Sequence, residues 1–512
     1  MLQFYNPTLK LFFLPVWVAV NEAFSFFLNK NKFKNNRYSI RIISHFCITK
    51  LLSIKLISYM NKKLILWSIV VALGGFLFGF DTAVISGAEE DIKRIWALSD
   101  ILHGIAIAIA LYGTVIGALL GGIPATKFGR KKTLLWIGIF YLISAIGSAM
   151  APGVYSFMAF RVLGGLAIGA SSVVAPMYIT EIAPAKNRGK LVATFQFNIV
   201  FGILIAYFSN YLLQGVGGEN SWRIMLGVVA LPALIYCILV FFVPESPRWL
   251  IVHKGDYDTA RKTLVVSDPE GVDEAIKALH KSIEEDNQKE SLSAFLSKRF
   301  SVPIFLAILI AFFNQLSGIN AIIYFAPRVF ELAGIGKQAA FLQSAGIGLV
   351  NLLFTMLGLY LIDRLGRKKL MLIGSVGYIL SLAAVAAAFY FNFLGGIVVP
   401  VLLFIFIASH AIGQGAVIWV FISEIFPNNV RAYGQSLGCT THWVLAAIIT
   451  TVFPIMATRF GPGPIFLFFA FMMVLQLLWV IFKMPETKGV SLEDMDKKLS
   501  TPLPTPKILA YE

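Results

Sequence analysis

The chain has 512 residues, of which 58% are hydrophobic and only 14% charged, and its mean hydropathy is +0.78. That balance excludes an ordinary soluble domain, in which about a quarter of the residues carry charge. The net charge of +16 does not describe a nucleic-acid surface, because the Lys and Arg residues alternate by loop instead of gathering on one face.

In chain order, residues 1–59 stand apart, rich in Asn, Lys, Phe and Ile, with the polar basic run NKNKFKNNRYSIR at their centre. The stretch from Leu11 to Leu28 is interrupted by Pro15, Asn21 and Glu22, which makes a poor spanning helix. No small-residue cleavage site follows it, so it does not read as a signal peptide. Met60, followed by NKKLILWS, is expected to be the working start, with residues 1–59 a disordered extension or a mis-assigned upstream translation.

From there, apolar runs of about 20 residues recur. Twelve are expected to span a membrane: 63–87, 101–124, 133–151, 155–178, 190–213, 222–243, 302–326, 339–362, 369–391, 397–424, 432–457 and 462–484. Buried helices of a soluble protein would show a polar face, and these show none. Lys127, Arg130, Lys131 and Lys132 follow the second run, Lys186, Arg188 and Lys190 the fourth, and Arg364, Arg367, Lys368 and Lys369 the eighth. The opposite loops hold little net positive charge, so both ends of the twelve-helix core are expected to be cytoplasmic.

The first run, LILWSIVVALGGFLFGFDTAVISG, places Asp81 in an otherwise uncharged helix. A carboxylate at mid-membrane costs about 2.5–3.5 kcal/mol on insertion scales, so it needs a partner or a proton. Arg161, near the start of the fourth run, is the candidate partner. A pair whose water access and geometry change can switch its proton occupancy; a permanent salt bridge is the structural alternative.

The chain repeats itself. FGRKK at 128–132 returns as LGRKK at 365–369, TEIAP at 180–184 as SEIFP at 423–427, and PESP at 244–247 as PETK at 485–488. The offset of about 240 residues signals an internal duplication. The expected organisation is a six-helix half over 60–250, a cytoplasmic helical linker over 251–300 with Ile276, Leu279 and Ile283 on one face, a second half over 301–485, and a tail over 486–512. Cys47, Cys237 and Cys439 are scattered, as are the six histidines, and neither set has metal-ligand spacing. No Ser/His/Asp arrangement, phosphate loop or dinucleotide fingerprint supports an enzyme.

The ordered series GGFLFGFDTAVISG, GGIPATKFGRKK, RVLGGLAIG, PMYITEIAPAKNRG, PESPRWL, FNQLSGIN, GLYLIDRLGRKK, SEIFPNNVRA and PETKG resembles the sugar porter family of the major facilitator superfamily from Met60 to about Leu499. The resemblance implies an all-α membrane protein with twelve transmembrane helices in two pseudo-symmetric six-helix halves. It also implies a bacterial inner-membrane symporter, monomeric in the bilayer, that takes up a hexose or pentose with a proton as coupling ion, without another cofactor or a metal. A facilitative uniporter and a non-transporting sugar sensor are the alternatives.

In proton-coupled members an Asp occupies the position of Asp81, with Arg161 tuning it. The sugar-contacting positions fall on Gln196, Asn314, Gln315, Asn320, Tyr324, Asn351, Trp419, His442 and Trp443. Amides both donate and accept toward hydroxyls, and aromatic faces stack on the sugar ring. Departures bear on substrate choice: Asn314 stands for the usual Gln, Ile203 for a second fifth-helix Gln, and His442 for an amide. The family's cytoplasmic ion pairs imply a gate of Arg130, Glu181 and Arg188 in the first half and Asp363, Arg367, Glu424 and Arg431 in the second. Thr126 stands where the second copy has Asp363, so the first half of the gate is expected to be the weaker.

Overall fold

A computed structural model of the chain describes residues 62–184, 187–269, 271–286, 291–394 and 396–499. The expected extension over 1–59 lies outside the described residues. Among the described residues, twelve helices are long and apolar enough to cross a membrane: α1 (Lys62–Gly87), α2 (Asp100–Leu120), α3 (Arg130–Met150), α4 (Val154–Ile182), α5 (Arg188–Leu213), α6 (Gly218–Val240), α7 (Lys298–Tyr324), α8 (Lys337–Leu365), α9 (Arg367–Tyr390), α10 (Val398–Glu424), α11 (Arg431–Phe460) and α12 (Pro462–Phe482). Regular structure among the described residues is entirely helical, as a lipid environment demands of a chain that must satisfy its own backbone. Large side chains such as Leu380, Phe471 and Ile405 point outward, where lipid takes the place of a core.

The duplication is visible in the packing. Within the first half α1 packs on α5 and α3 on α4 and α6; within the second, α7 packs on α11 and α9 on α10 and α12. The halves meet where α2 packs on α11 and α8 on α5, two contacts that exchange when the halves are exchanged.

Three of the spanning helices break their own regularity near their middle; α6 does so at Val228 and Val229. α7 is interrupted at Ser317 and Gly318: one helix runs Ser301–Leu316 and the next Ile319–Tyr324, with Gly318 at φ +83°, a conformation only glycine adopts without strain. α10 widens into a π turn over Ala411–Gly415, a local defect that often marks a functional position. Elsewhere boundaries shift by a few residues: α2 stops at Leu120, short of the expected 124, because the chain turns at Gly121 into a separate helix, Gly122–Phe128.

One end carries the repeated basic loops; the other is held shut between the halves. At the latter end, the helix Glu89–Ile95 faces the helix Ala326–Leu332. Glu89 lies 3.7 Å from Arg328, while Lys337 reaches Glu90 at 3.9 Å and Asp91 at 4.0 Å. Tyr207 of α5 donates to the carbonyl of Ile323 at 2.7 Å. At the basic end, the linker forms helices Tyr257–Ser267 and Val272–Asp286, and Leu279 packs on Trp249, Leu250, Ile251 and Ala260. The tail also forms a short helix, Leu492–Leu499, anchored by buried Met495 and by Arg299 to Asp496 at 2.8 Å.

Candidate functional site

α1 and α4 cross so that Arg161 Nη1 lies 2.6 Å from Asp81 Oδ1, both groups buried. Arg161 Nη2 also approaches the Asp81 carbonyl at 3.4 Å. The second carboxylate oxygen, Oδ2, accepts no hydrogen bond from a described residue, and the hydroxyls of Tyr141 and Ser144 are likewise unpartnered in the same buried interior. The anticipated pair is therefore formed, with one face of the carboxylate left over. Tyr324, wholly buried, belongs to the segment of α7 that packs on α1.

Across the break in α7 the amides meet. Asn320 Nδ2 donates to Gln315 Oε1 at 2.6 Å, and Gln315 Nε2 donates to Asn314 Oδ1 at 2.9 Å. Gln315 Nε2 also lies 3.1 Å from His442 Nδ1 and 3.2 Å from Nε2. The His442 ring sits 5.1 Å from that of Trp419 and 4.8 Å edge-on from that of Trp443. Asn314 turns away from this group, into the second half, toward Gln414. Asn351 is buried and its Oδ1 accepts from Thr355, a turn along α8. Gln196, on α5, is half-buried, with its amide uncommitted to any described residue.

Trp443 makes its other aromatic contact with Phe78, 5.6 Å away across the divide between the halves. Phe78 stands three residues before Asp81 on α1, so a single helix face joins the aromatic group to the ion pair. The spacing from Asp81 was the signal available for Phe78. For Gln414 and Gln476, only a polar side chain within an apolar run marked them.

The basic loops form one structure twice. Arg130 grips Glu181 through Nη2 at 2.7 Å and Nε at 2.9 Å; Arg367 grips Glu424 through the same atoms at the same distances. Arg130 Nη1 donates to the Ala125 carbonyl and Arg367 Nη1 to that of Ile362, both at 3.1 Å. Bidentate geometry of this kind is the strong form of the interaction. The expected weakness of the first copy is not seen: Asp363 does reach Arg367 at 3.3 Å, but at 81% exposure such a pair adds little, and Glu181 is more buried than Glu424.

Both pairs join elements of one half, so by themselves they stiffen the halves and do not tie them together. Arg188 is exposed and Arg431 half-buried, and neither enters these pairs. The sequence reading left out two acids that complete the motif. Glu245 accepts from the backbone N–H of Arg130 at 2.9 Å and of Lys131 at 3.1 Å, and Glu486 from those of Arg367 at 2.9 Å and Lys368 at 3.0 Å. Each caps the start of a membrane helix. Ser246 and Thr487 donate in turn to Glu181 and Glu424. The repeated PESP and PETK were the visible trace of this role. Gly129 and Gly366 sit at φ +100° and +88°, with the carboxylate of Glu245 or Glu486 where a Cβ would stand.

The family profile described as "Sugar (and other) transporter" matches residues 67–499. The chain belongs to the sugar porter family of the major facilitator superfamily. The arabinose-proton symporter of Bacillus subtilis is 37% identical over 439 residues, covering 85% of this chain and 94% of its own. The D-xylose-proton symporter of Escherichia coli is 33% identical over 467 residues, with 84% and 94% covered. The inward-open structure of the xylose transporter XylE from E. coli superimposes with a TM-score of 0.75 at 32% identity, over 84% of this chain and 99% of that one. These relatives are transporters and not enzymes. This sugar porter is accordingly a multi-pass membrane protein of the major facilitator fold. Among its described residues, no group of three or more His, Cys, Asp or Glu could hold a metal ion.

Proposed function

We propose that this protein takes up a monosaccharide together with a proton, across the plasma membrane, by alternating access between its two halves. The observation that carries the reading is the continuity of α1. Asp81, paired with Arg161, shares a helix face with Phe78, and Phe78 meets Trp443 beside the Gln315, Asn320 and His442 cluster of the other half. Protonation of Asp81 weakens its attraction to Arg161, frees α1 to move against α4, and carries Phe78 with it. A sugar held between Phe78, Gln196, Tyr324 and the second-half cluster biases the same movement, so proton and sugar affinities are reciprocally coupled.

The basic loops face the cytoplasm by the positive-inside rule, and the end bearing Glu89 and Arg328 faces out. The halves meet at that outer end, which supports reading this conformation as closed toward the outside. The names of the relatives, arabinose-proton and D-xylose-proton symporters, favour an aldose and proton coupling. The protein acts as a monomer, with the proton as coupling ion and no further cofactor.

The test is uptake of labelled D-xylose, L-arabinose, D-glucose, D-galactose and D-fructose into proteoliposomes, with and without an inward proton gradient, by the wild type and Asp81→Asn. Gradient-driven accumulation that the substitution reduces to equilibration is the expected result. Equilibration by both proteins makes the transporter a uniporter and Asp81–Arg161 a structural pair.

A further inference from the structure

The first half holds a set of buried hydroxyls that bond to no described residue. They are Tyr141, Ser144 and Ser148 of α3, Ser171 of α4, Tyr236 of α6 and, nearer the basic end, Ser68 of α1, each at most 1% exposed. A serine or threonine in a membrane helix commonly gives its proton to the carbonyl three or four residues back, as Thr114, Ser172 and Ser344 do here. These four serines do not. An unpartnered buried polar group costs about 1–3 kcal/mol, so the set calls for a shared partner.

Their positions follow one line. Tyr141, Ser144 and Ser148 share a face of α3 by their spacing of three and four residues. A Cβ built at Gly164 of α4 would stand 2.5 Å from Ser144 Oγ and 3.8 Å from Asp81 Oδ2, so the free hydroxyl and the free carboxylate oxygen border one small space. Seven residues further along α4, and so on nearly the same face, Ser171 meets Tyr236. A Cβ at Gly74 would stand 2.7 Å from Ser171 Oγ and 3.4 Å from Tyr236 Oη. Tyr141 links the two levels, close enough to interact electrostatically with Asp81 and Arg161 and with Tyr236. Seven residues beyond Ser171, Tyr178 donates to the Pro244 carbonyl at 2.9 Å, within electrostatic reach of Glu181 and Glu245. Gly164, Ser171 and Tyr178 thus mark a stripe of α4 that runs from the ion pair to the capped loop at the basic end.

The second half shows the same places filled. By the register of the repeated motifs, Tyr378 corresponds to Tyr141, Ser381 to Ser144 and Gln414 to Ser171. Tyr378 meets His410 at 3.2 Å, Ser381 donates to the Gly377 carbonyl at 2.6 Å, and the side chains of Gln414 and Gln476 meet at 2.8 Å. Long side chains satisfy one another there, whereas the hydroxyls of the first half do not reach each other. Water is the partner that suits such a space, since one molecule serves two to four polar neighbours.

We propose that this line of hydroxyls, with water between them, is the route by which Asp81 releases its proton to the cytoplasm, apart from the path of the sugar. Asp81 is faced by Arg161, by Tyr141 and, from the second half, by Tyr324. Its carboxylic acid gives the proton to the water shared with Ser144 and becomes the carboxylate that Arg161 holds. Each hydroxyl and water along the line accepts one proton and passes another on, so each ends unchanged. The last proton leaves past Tyr178, beside Glu181 and Glu245. The route lies inside the first half, whereas Gln315, Asn320 and His442 belong to the second.

The route rests on the sugar-proton uptake reading, and the experiment separates the two. Proteoliposomes loaded with a pH-sensitive dye report internal acidification when sugar is added outside, using whichever of D-xylose, L-arabinose and D-glucose the wild type takes up. Exchange of labelled external for unlabelled internal sugar is measured on the same preparations. Net uptake requires Asp81 to release its proton inside in every cycle, whereas exchange proceeds with the proton retained. Tyr141→Phe and Ser171→Val should slow acidification and net uptake by about five-fold, the weight of one hydrogen bond, with exchange unchanged. Ser171→Thr, which keeps the hydroxyl, should behave as the wild type, and so should Ser381→Ala at the counterpart of Ser144. If Ser171→Val does not fold, Tyr141→Phe against Ser381→Ala still decides. Equal falls in exchange and net uptake, or no change in either, overturn the route. Sugar uptake by the wild type without acidification, or no uptake of any of the sugars, overturns the sugar-proton reading and this route with it.

Discussion

Asp81 and Arg161 are ionisable groups buried in the membrane interior, and each is tolerable there because of the other. Removing one partner of a buried pair costs on the order of 3–5 kcal/mol, whereas replacing both by neutral groups is often close to neutral. Arg161→Met should therefore lower the unfolding temperature in detergent substantially, and the double variant with Asp81→Asn should recover most of the loss while still failing to accumulate sugar against a gradient. Thermal unfolding and gradient-driven uptake, measured on the same preparations, check this; a double variant as unstable as the single one would show that the pair is not energetically coupled. Asp81 was legible as the one acid in its run. Its partner was legible only as a lone Arg in another run, since nothing local fixes how α1 crosses α4.

At the scale of the element, the informative features are breaks and caps. Gly318 interrupts α7 at φ +83°, and a Cβ there would meet the ring of Phe469. Gly318→Ala should move Asn320 away from Gln315 and raise the KM for sugar, with a smaller loss of expressed protein; unchanged KM would mean the break does not shape the site. The capping acids give a pH prediction. Burial pushes the Glu486 carboxyl up, but the backbone N–H groups of Lys488, Arg367, Lys368 and Thr487 outweigh it and hold the group below its ordinary 4.5. A carboxyl depressed in the folded state stabilises above its unfolded value and loses that contribution as pH falls. Acidification below about 4.5 should therefore loosen the start of α9, seen as faster amide exchange at Arg367 and Lys368, and Glu486→Gln should make that exchange insensitive to pH in this range. The repeated motif was visible in sequence. That its acid accepts from a helix start belonging to a segment over a hundred residues earlier was not, because short-range patterns carry no information about which ends meet.

For the whole molecule, the closure between the helices Glu89–Ile95 and Ala326–Leu332 is the feature that the proposed alternating access must open in each cycle. Beside it lies an open pocket of about 720 Å³ lined by Glu90, Asp91, Lys93, Arg94, Arg328, Glu331 and Lys337. Burial raises the Glu331 carboxyl to about 7; Glu90 and Glu89 push the same way, while Lys337 and Arg328 oppose it. His103 sits against Glu89 at 2.9 Å from the opposite side. Glu331 is half-buried, and when this end opens it gains water and its value returns toward 4.5. The closed form thus holds this proton more tightly, so acidification toward 4.5 favours closure and raising the pH through about 7 favours outward opening. Labelling of a cysteine placed on the pocket wall at Leu332 should accelerate as the external pH rises through 7, and Glu331→Gln should flatten that dependence. Acceleration in the opposite direction would refute the sign.

The sequence by itself determined the class of this protein: twelve apolar runs, alternating basic loops, a doubled motif and a lone carboxylate follow from composition and period, which are properties of the chain read locally. The resemblance to the sugar porters also put Gln315, Asn320, His442 and Trp443 in one set. Only the tertiary structure decided that Asn314 turns inward to Gln414, that Phe78 completes the aromatic contact across the halves, that Glu245 and Glu486 cap α3 and α9, and that the gate pairs close within each half. The physical reason is common to all four. A hydrogen bond or ring contact between helices depends on crossing angle and rotation, and these are set by the packing of many side chains at once, which no single stretch of sequence records.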